Sequence, residues 1–181
     1  MAIELRKRDF KLGCIHGKVH PKDGQSEHAI QRKLFVSPGI EINWTKSNKE
    51  RIRLFGYEVP LLAGTARGNC VDLLGYNDDK DLYLIELKKK DSKEKLGKVN
   101  EQINEYHLMI KEIAAHLEKE FQETFFFDIK FQSIKKLVLA PREYFKNQNS
   151  HKDPSVVYAH FKDKDITARK SLGYVQVHLQ K

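Results

Sequence analysis

Two carboxylates and a lysine stand out because they interrupt or directly follow strongly apolar runs. Asp72 lies within the run 70–76, and Glu86 and Lys88 lie within the run 82–88. Carboxylate oxygens are the ligands that hard divalent cations prefer, and a lysine stabilises negative charge that develops on an oxygen. An unpaired charge would be costly to bury in such runs. The pattern therefore predicts a cation-binding site with a lysine beside it.

The two runs are predicted to form a β-hairpin, because a polar turn separates stretches rich in Val, Ile, Leu and Tyr. If Tyr76 faces Leu82 across the turn, counting back sets Asp72 opposite Glu86, with about 5 Å between their Cβ atoms. Two carboxylates at that separation can share a divalent cation. Residues two apart in a strand share a face, so Lys88 joins Glu86. A slip of one residue would move Asp72 to the other face.

The opposite face of this hairpin is predicted to be apolar and covered by a helix. It would carry Val71, Leu73, Ile85 and Leu87. The charged face would keep an apolar flank of Leu74, Leu82 and Leu84.

An aspartate followed, a strand and a turn later, by Glu-x-Lys resembles the signature of the PD-(D/E)xK nuclease superfamily. Asp72 and Glu86-Leu87-Lys88 carry the match, with Gly68 and Gly75 around the first strand. The segment from Arg67 through Lys88 looks most like NucS-type endonuclease domains. The superfamily's usual proline before the aspartate is absent, since Cys-Val precedes it.

Two further elements extend the resemblance over about residues 25–110. Glu27 stands early in a predicted first helix, and Gln102 and Tyr106 follow the hairpin as the family's Gln-xxx-Tyr element does. The resemblance implies an α/β fold with a restriction-endonuclease-like core, a central mixed β-sheet flanked by helices in the order αβββαβ. Residues 23–181 would form one nuclease domain, and residues 1–22 an N-terminal arm or edge hairpin.

The activity that the resemblance implies is a metal-dependent DNA endonuclease acting in restriction, repair or mobile-element processing. It leaves open whether the DNA is double-stranded, single-stranded or branched, and a homodimer would permit a double-strand cut. Asp72, Glu86 and the backbone carbonyl of Leu87 would hold Mg²⁺, with Mn²⁺ as a substitute. Lys88 would orient water and stabilise the transition state, and Gln102 would help to place the lysine or the water. The alternative is a non-catalytic nucleic-acid-binding module.

Glu27 has two interpretations that the sequence does not separate. By family analogy it faces the metal, directly or through water. A carboxylate in the first turn of a helix also complements the helix dipole without any other role.

A basic balance favours a polyanionic partner. Lys and Arg number 33 against 25 Asp and Glu, which gives a formal charge of +8. Arg67, Lys89, Lys90 and Tyr106 are the predicted nucleic-acid contacts. Arg67 would serve equally well as a solvated loop residue, and Tyr106, taken without the hairpin, reads as a core residue.

Two cysteines, no apolar leader and no run long enough to span a bilayer predict a cytoplasmic protein with no membrane partner. Cys14, His16 and His20 lie close in the chain, but three ligands at this spacing match zinc patterns poorly. We expect two surface histidines and a small apolar cysteine.

The remaining segments complete the predicted order. Ser26 is expected to cap a helix that ends at Ser37, and Asp91 or Ser92 to cap a long helix reaching about Glu120 with an apolar stripe at spacings of three and four. Strands are predicted at 40–44, 52–57, 125–131, 134–140 and 173–179, and a short helix at 156–161.

Overall fold

The computed structural model of the chain describes residues 12–14, 26–61, 70–146, 148, 152–162, 166 and 173–180. The described helices are α1 (Glu27–Phe35), α2 (Leu96–Phe125) and α3 (Arg142–Lys146). The described strands are β1 (Ile40–Asn43), β2 (Lys49–Pro60), β3 (Cys70–Tyr76), β4 (Leu82–Leu87), β5 (Ile134–Pro141), β6 (Val156–Phe161) and β7 (Val175–Leu179). Within these ranges, none of the helices combines the length and the apolar character that a membrane crossing requires.

The seven strands form one closed, mixed barrel in chain order. The pairs β4–β5 and β5–β6 are parallel, whereas the pairs β1–β2, β2–β3, β3–β4 and β6–β7 are antiparallel. A parallel pairing of β7 with β1, which sets Ile40 beside Val175, closes the ring. The predicted restriction-endonuclease-like fold is therefore wrong. Each strand has two neighbours, and one face of the sheet turns inward instead of lying under a second helical layer.

Two apolar clusters stabilise this arrangement. Side chains from all seven strands fill the barrel, and α1 adds Ile30 and Leu34 to them. Helix α2 packs along the outside, and the predicted stripe on it is confirmed as buried: Leu96, Val99, Ile103, Tyr106, Ile110, Ile113, Leu117 and Phe121. Burying each large apolar side chain contributes about 1.5–3 kcal/mol, so this stripe fixes α2 on the barrel.

The helix covers the face of the hairpin opposite to the one predicted. Leu73, Ile85 and Leu87 line the barrel interior, where other strands cover them. Helix α2 packs on Leu74 and its neighbours, on the face that also bears the charges. Val71, predicted to share a face with Leu73, instead belongs to the cluster under α2.

The predicted helix caps and segment types are correct in some places and wrong in others. Ser26 caps α1 as predicted, its Oγ accepting from the N–H of Ala29 at 3.2 Å. The predicted caps of α2 are wrong, because the helix begins at Leu96, whose N–H donates to Oε1 of Gln148 at 2.8 Å. The predicted strand 125–131 is wrong, because α2 extends to Phe125 and residues 126–131 follow it without strand structure. The predicted helix 156–161 is also wrong, because this segment is strand β6.

Candidate active site

The β3–β4 hairpin has the predicted register. Tyr76 pairs with Leu82 and Leu73 with Ile85, so one further step sets Asp72 opposite Glu86. Oδ2 of Asp72 accepts a hydrogen bond from the N–H of Leu87 at 2.7 Å. The structure therefore brings the aspartate against the strand segment that carries Glu-Leu-Lys.

Lys88 lies at the base of the site, with a side chain only 6% exposed. Its Nζ is 2.8 Å from Oε1 of Glu86, 2.8 Å from Oε2 of Glu94 and 4.0 Å from Oε1 of Glu27. Burial alone would lower the pKa of Lys88, but the charge of Glu86 and the hydrogen bonds to Glu86 and Glu94 raise it above its ordinary value. The ammonium is therefore charged at neutral pH.

The two predicted metal ligands hold their protons unusually tightly. Burial raises the pKa of Glu86 to about 7, even though Lys88 lowers it. Burial and the neighbouring Glu86 likewise raise the pKa of Asp72 well above its ordinary value. Among the described residues, Oε2 of Glu86 finds no hydrogen-bond partner, although it is buried. The carboxyl groups of Asp72 and Glu86 therefore lack enough nearby positive charge to stay ionised as readily as they would in water.

Glu27 joins this cluster from α1. Its Oε2 accepts from the backbone N–H of Lys89 at 3.1 Å, and its side chain is 30% exposed. It also lies in the first turn of α1. Glu27 thus lies both 4.0 Å from Nζ of Lys88 and in the first turn of α1, and each of its two interpretations stays a prediction.

Gln102 and Tyr106 lie one turn apart on α2, and Nε2 of Gln102 donates to the hydroxyl of Tyr106 at 2.7 Å. The described partners of Lys88 are carboxylates, and Gln102 is not among them. Its predicted role in placing the lysine or the water stays a prediction. Tyr106 is 2% exposed and belongs to the core under α2. Burial raises its pKa to about 12, with Glu86 contributing, and a direct contact with nucleic acid would require its exposure.

Two of the basic residues predicted to contact nucleic acid directly follow Lys88 in the chain. Lys89 is half-buried and its Nζ lies 3.5 Å from Oδ1 of Asp91, while Lys90 is exposed. Arg67 lies outside the described residues, as do His16 and His20. Cys14 is exposed and unbridged.

Sequence reasoning does not single out Glu94, which the structure makes the fourth carboxyl group of the site. The backbone carbonyl of Glu94 accepts from the hydroxyl of Tyr144 at 3.0 Å and from Nε2 of Gln148 at 3.4 Å. These contacts fix the segment between Lys88 and α2. Glu94 is hidden within a charge run from Lys88 to Lys98, and its position shortly before a long helix was the one available signal.

The donor set fits a hard cation. Its atoms are carboxylate oxygens, and four acidic side chains (Glu27, Asp72, Glu86 and Glu94) surround one buried lysine. Within the described ranges no three or more metal-ligating side chains meet as placed. Among the described residues, the ammonium of Lys88 contacts Glu86, Glu94 and Glu27, and it partly supplies positive charge near the Glu86 oxygen that has no hydrogen-bond partner.

No protein-family model, no curated protein and no solved structure matches this chain.

Proposed function

We propose that this chain is a metal-dependent nuclease that hydrolyses phosphodiester bonds in DNA at the site of Asp72, Glu86 and Lys88. The observation that carries the proposal is the buried Glu86 carboxylate, which faces Asp72, contacts Lys88 and has one oxygen without a hydrogen-bond partner in the described part of the chain. Asp72 and Glu86-Leu87-Lys88 resemble the PD-(D/E)xK signature in residue type and spacing, although the barrel is not that superfamily's fold.

Asp72, Glu86, the carbonyl of Leu87 and, from the half-open side, Glu27 would hold Mg²⁺ or Mn²⁺. Such an ion acidifies bound water and neutralises charge on the scissile phosphate. With no cation bound, the Glu86 carboxyl group is partly protonated near pH 7, because burial raises its pKa to about 7. Proton and cation therefore compete for the same oxygens.

Lys88 contributes a charge whose position is fixed. Two 2.8 Å contacts hold its Nζ between Glu86 and Glu94, so little side-chain freedom is lost when a phosphate arrives. An ammonium in a largely buried site stabilises developing oxygen charge more strongly than one in water.

The overall charge supports DNA as the substrate class. A formal charge of +8 favours a polyanion, and phosphate contacts release counterions, so binding should weaken steeply with salt. Cleavage rates on plasmid, single-stranded and branched DNA would identify the preferred substrate. That preference would indicate which of the three predicted roles applies: restriction, repair or mobile-element processing.

The decisive experiment is cleavage of these DNAs with Mg²⁺ or Mn²⁺, beside an EDTA control. Glu86→Gln removes the charge and keeps the shape. Glu41→Gln is the matched control, because Glu41 is also buried but lies on β1, bonded to Lys49 and Arg51. We expect cutting by the parent and by Glu41→Gln, and none by Glu86→Gln or with EDTA. Equal cutting by Glu86→Gln would refute the site.

One observation favours a second function, a DNA-binding module without turnover. Lys88 is saturated by Glu86 and Glu94, as in an ion cluster that only stabilises a fold. In that case no DNA would be cut under any metal condition, while salt-sensitive binding would persist in both Gln variants.

A further inference from the structure

The outer surface of β6 and β7 carries two histidines that the proposed nuclease site does not use. His160 lies directly opposite His178 in the antiparallel register of the two strands. Their chain neighbours Ala159 and Val177 point into the barrel, so both imidazoles lie outside it. Both histidines are partly exposed, which leaves the pair accessible to solvent.

The spacing of the two rings suits a shared metal ion. Their centroids are 5.5 Å apart and their planes are inclined by 39°. Two imidazoles that share a zinc ion, with metal–nitrogen bonds of about 2.0–2.1 Å and a tetrahedral angle, have ring centres about 5 Å apart. Only side-chain adjustment would be needed to bring one nitrogen of each ring to a common ion.

One nitrogen of the pair lacks a partner. Nδ1 of His160 is buried and, among the described residues, makes no hydrogen bond. A buried polar atom left in that state costs about 1–3 kcal/mol. Burial, then His178, Arg142 and Lys162, lower the pKa of His160, against a raising effect of Glu143. These effects favour the neutral ring, which keeps one nitrogen lone pair for a ligand.

We propose that His160 and His178 together bind a transition-metal ion of the zinc class, with water completing its coordination. Imidazole nitrogen suits zinc, copper and nickel, whereas magnesium prefers oxygen, so this site is chemically distinct from the one at Asp72 and Glu86. Because two protein ligands hold the ion, its affinity should be lower than that of four-ligand structural zinc.

The test is zinc binding to the full, metal-stripped chain at pH 7.5, measured by competition with a chromophoric chelator. We expect His160→Gln and His178→Gln each to lower the association constant at least tenfold. The matched control His28→Gln, an exposed histidine paired with Glu58, should leave it within twofold. Unchanged zinc affinity in the His160→Gln/His178→Gln double variant would overturn the proposal.

A second measurement does not depend on the variants folding. Zinc added to the ¹⁵N-labelled parent should shift the ring-nitrogen resonances of His160 and His178 together, and excess Mg²⁺ should not reverse the shift. Acidification should weaken zinc binding, because protons compete with the metal for imidazole nitrogens. Zinc-induced shifts confined to other histidines would refute the site.

Discussion

Oδ2 of Asp72 accepts a 2.7 Å hydrogen bond from the main-chain N–H of Leu87, the residue between Glu86 and Lys88. This bond fixes the aspartate on β3 against the strand that carries its partners. The amide favours the ionised carboxylate, but burial and Glu86 outweigh it and raise the pKa of Asp72. The site therefore takes up protons readily, and this property makes the proposed activity depend on pH.

Cation affinity should rise with pH. Because the pKa of Glu86 is raised to about 7, its carboxylate is largely protonated at pH 6 and largely ionised at pH 8. We expect the Mg²⁺ concentration that half-saturates DNA cleavage to fall about tenfold between these values. The measurement is a Mg²⁺ titration of cleavage at each pH. A half-saturating concentration that is the same at pH 6 and pH 8 would contradict a role for Glu86 as a ligand.

Lys88 should be coupled energetically to Glu86. Lys88→Met leaves two carboxylates without their buried counter-charge, and breaking such a pair costs about 3–5 kcal/mol. Adding Glu86→Gln to Lys88→Met should recover part of this loss, because an amide tolerates burial without a cation. Urea unfolding of the parent, both single variants and the double variant gives the coupling energy. Strictly additive losses would show that the two side chains do not interact.

Two buried glutamates should give stability profiles of opposite slope. The pKa of Glu86 is raised in the folded state, so the free energy of unfolding falls as pH rises from about 4.5 to 7, and Glu86→Gln should reduce that fall. The hydrogen bonds from Arg51 and Lys49 lower the pKa of Glu41 to about 2. Its contribution is present above pH 4.5 and is lost as the pH falls towards 2.

Urea unfolding at pH 3, 5 and 7.5 distinguishes the contribution of Glu86 to stability from that of Glu41. Glu41→Gln should lower stability at pH 7.5 and weaken the acid sensitivity between pH 5 and pH 3. Profiles for Glu86→Gln and the parent that run parallel from pH 5 to pH 7.5 would show that Glu86 titrates normally.

Phe126 should be replaceable by glycine with a gain in stability. It ends α2 with φ of 56°, a left-handed conformation that costs a residue with a side chain about 1–2 kcal/mol, and its side chain is 92% exposed. Phe126→Gly relieves that cost and loses little packing, so we expect the free energy of unfolding to rise by about 1 kcal/mol. Phe127→Gly is the control, because the neighbouring Phe127 has an ordinary φ. Equal effects of the two substitutions would contradict this explanation.

The sequence predicted the hairpin and its register because local chemistry determines both. Oδ1 of Asn77 accepts from the N–H of Asp81 at 2.8 Å, which closes the turn and sets Tyr76 against Leu82. Each signal lies within a few residues of what it controls. The same holds for Ser26, whose capping bond spans three residues.

Barrel closure was not predictable in this way. It depends on the pairing of β1 with β7, in which Ile40 lies beside Val175, and these two strands are far apart in the chain. Strand β6 is predicted as a helix because apolar residues occupy both of its faces up to His160: Tyr158 packs towards α2 while Ala159 points into the barrel. A strand covered on both sides over most of its length loses the alternation that identifies it. Glu94 was missed because only the folded position of the segment before α2 brings it to Lys88.

The closed ring of strands also limits how this protein can recognise a partner. A sheet with a free border can accept an extended segment of another protein as an additional strand, and the same border can seed aggregation. Here both backbone borders of β1 are engaged, by β2 and by β7. Any partner would therefore be recognised through side chains and loops. Loss of β7 would expose the backbone edges of β1 and β6 together, and both edges could then pair with strands of other molecules.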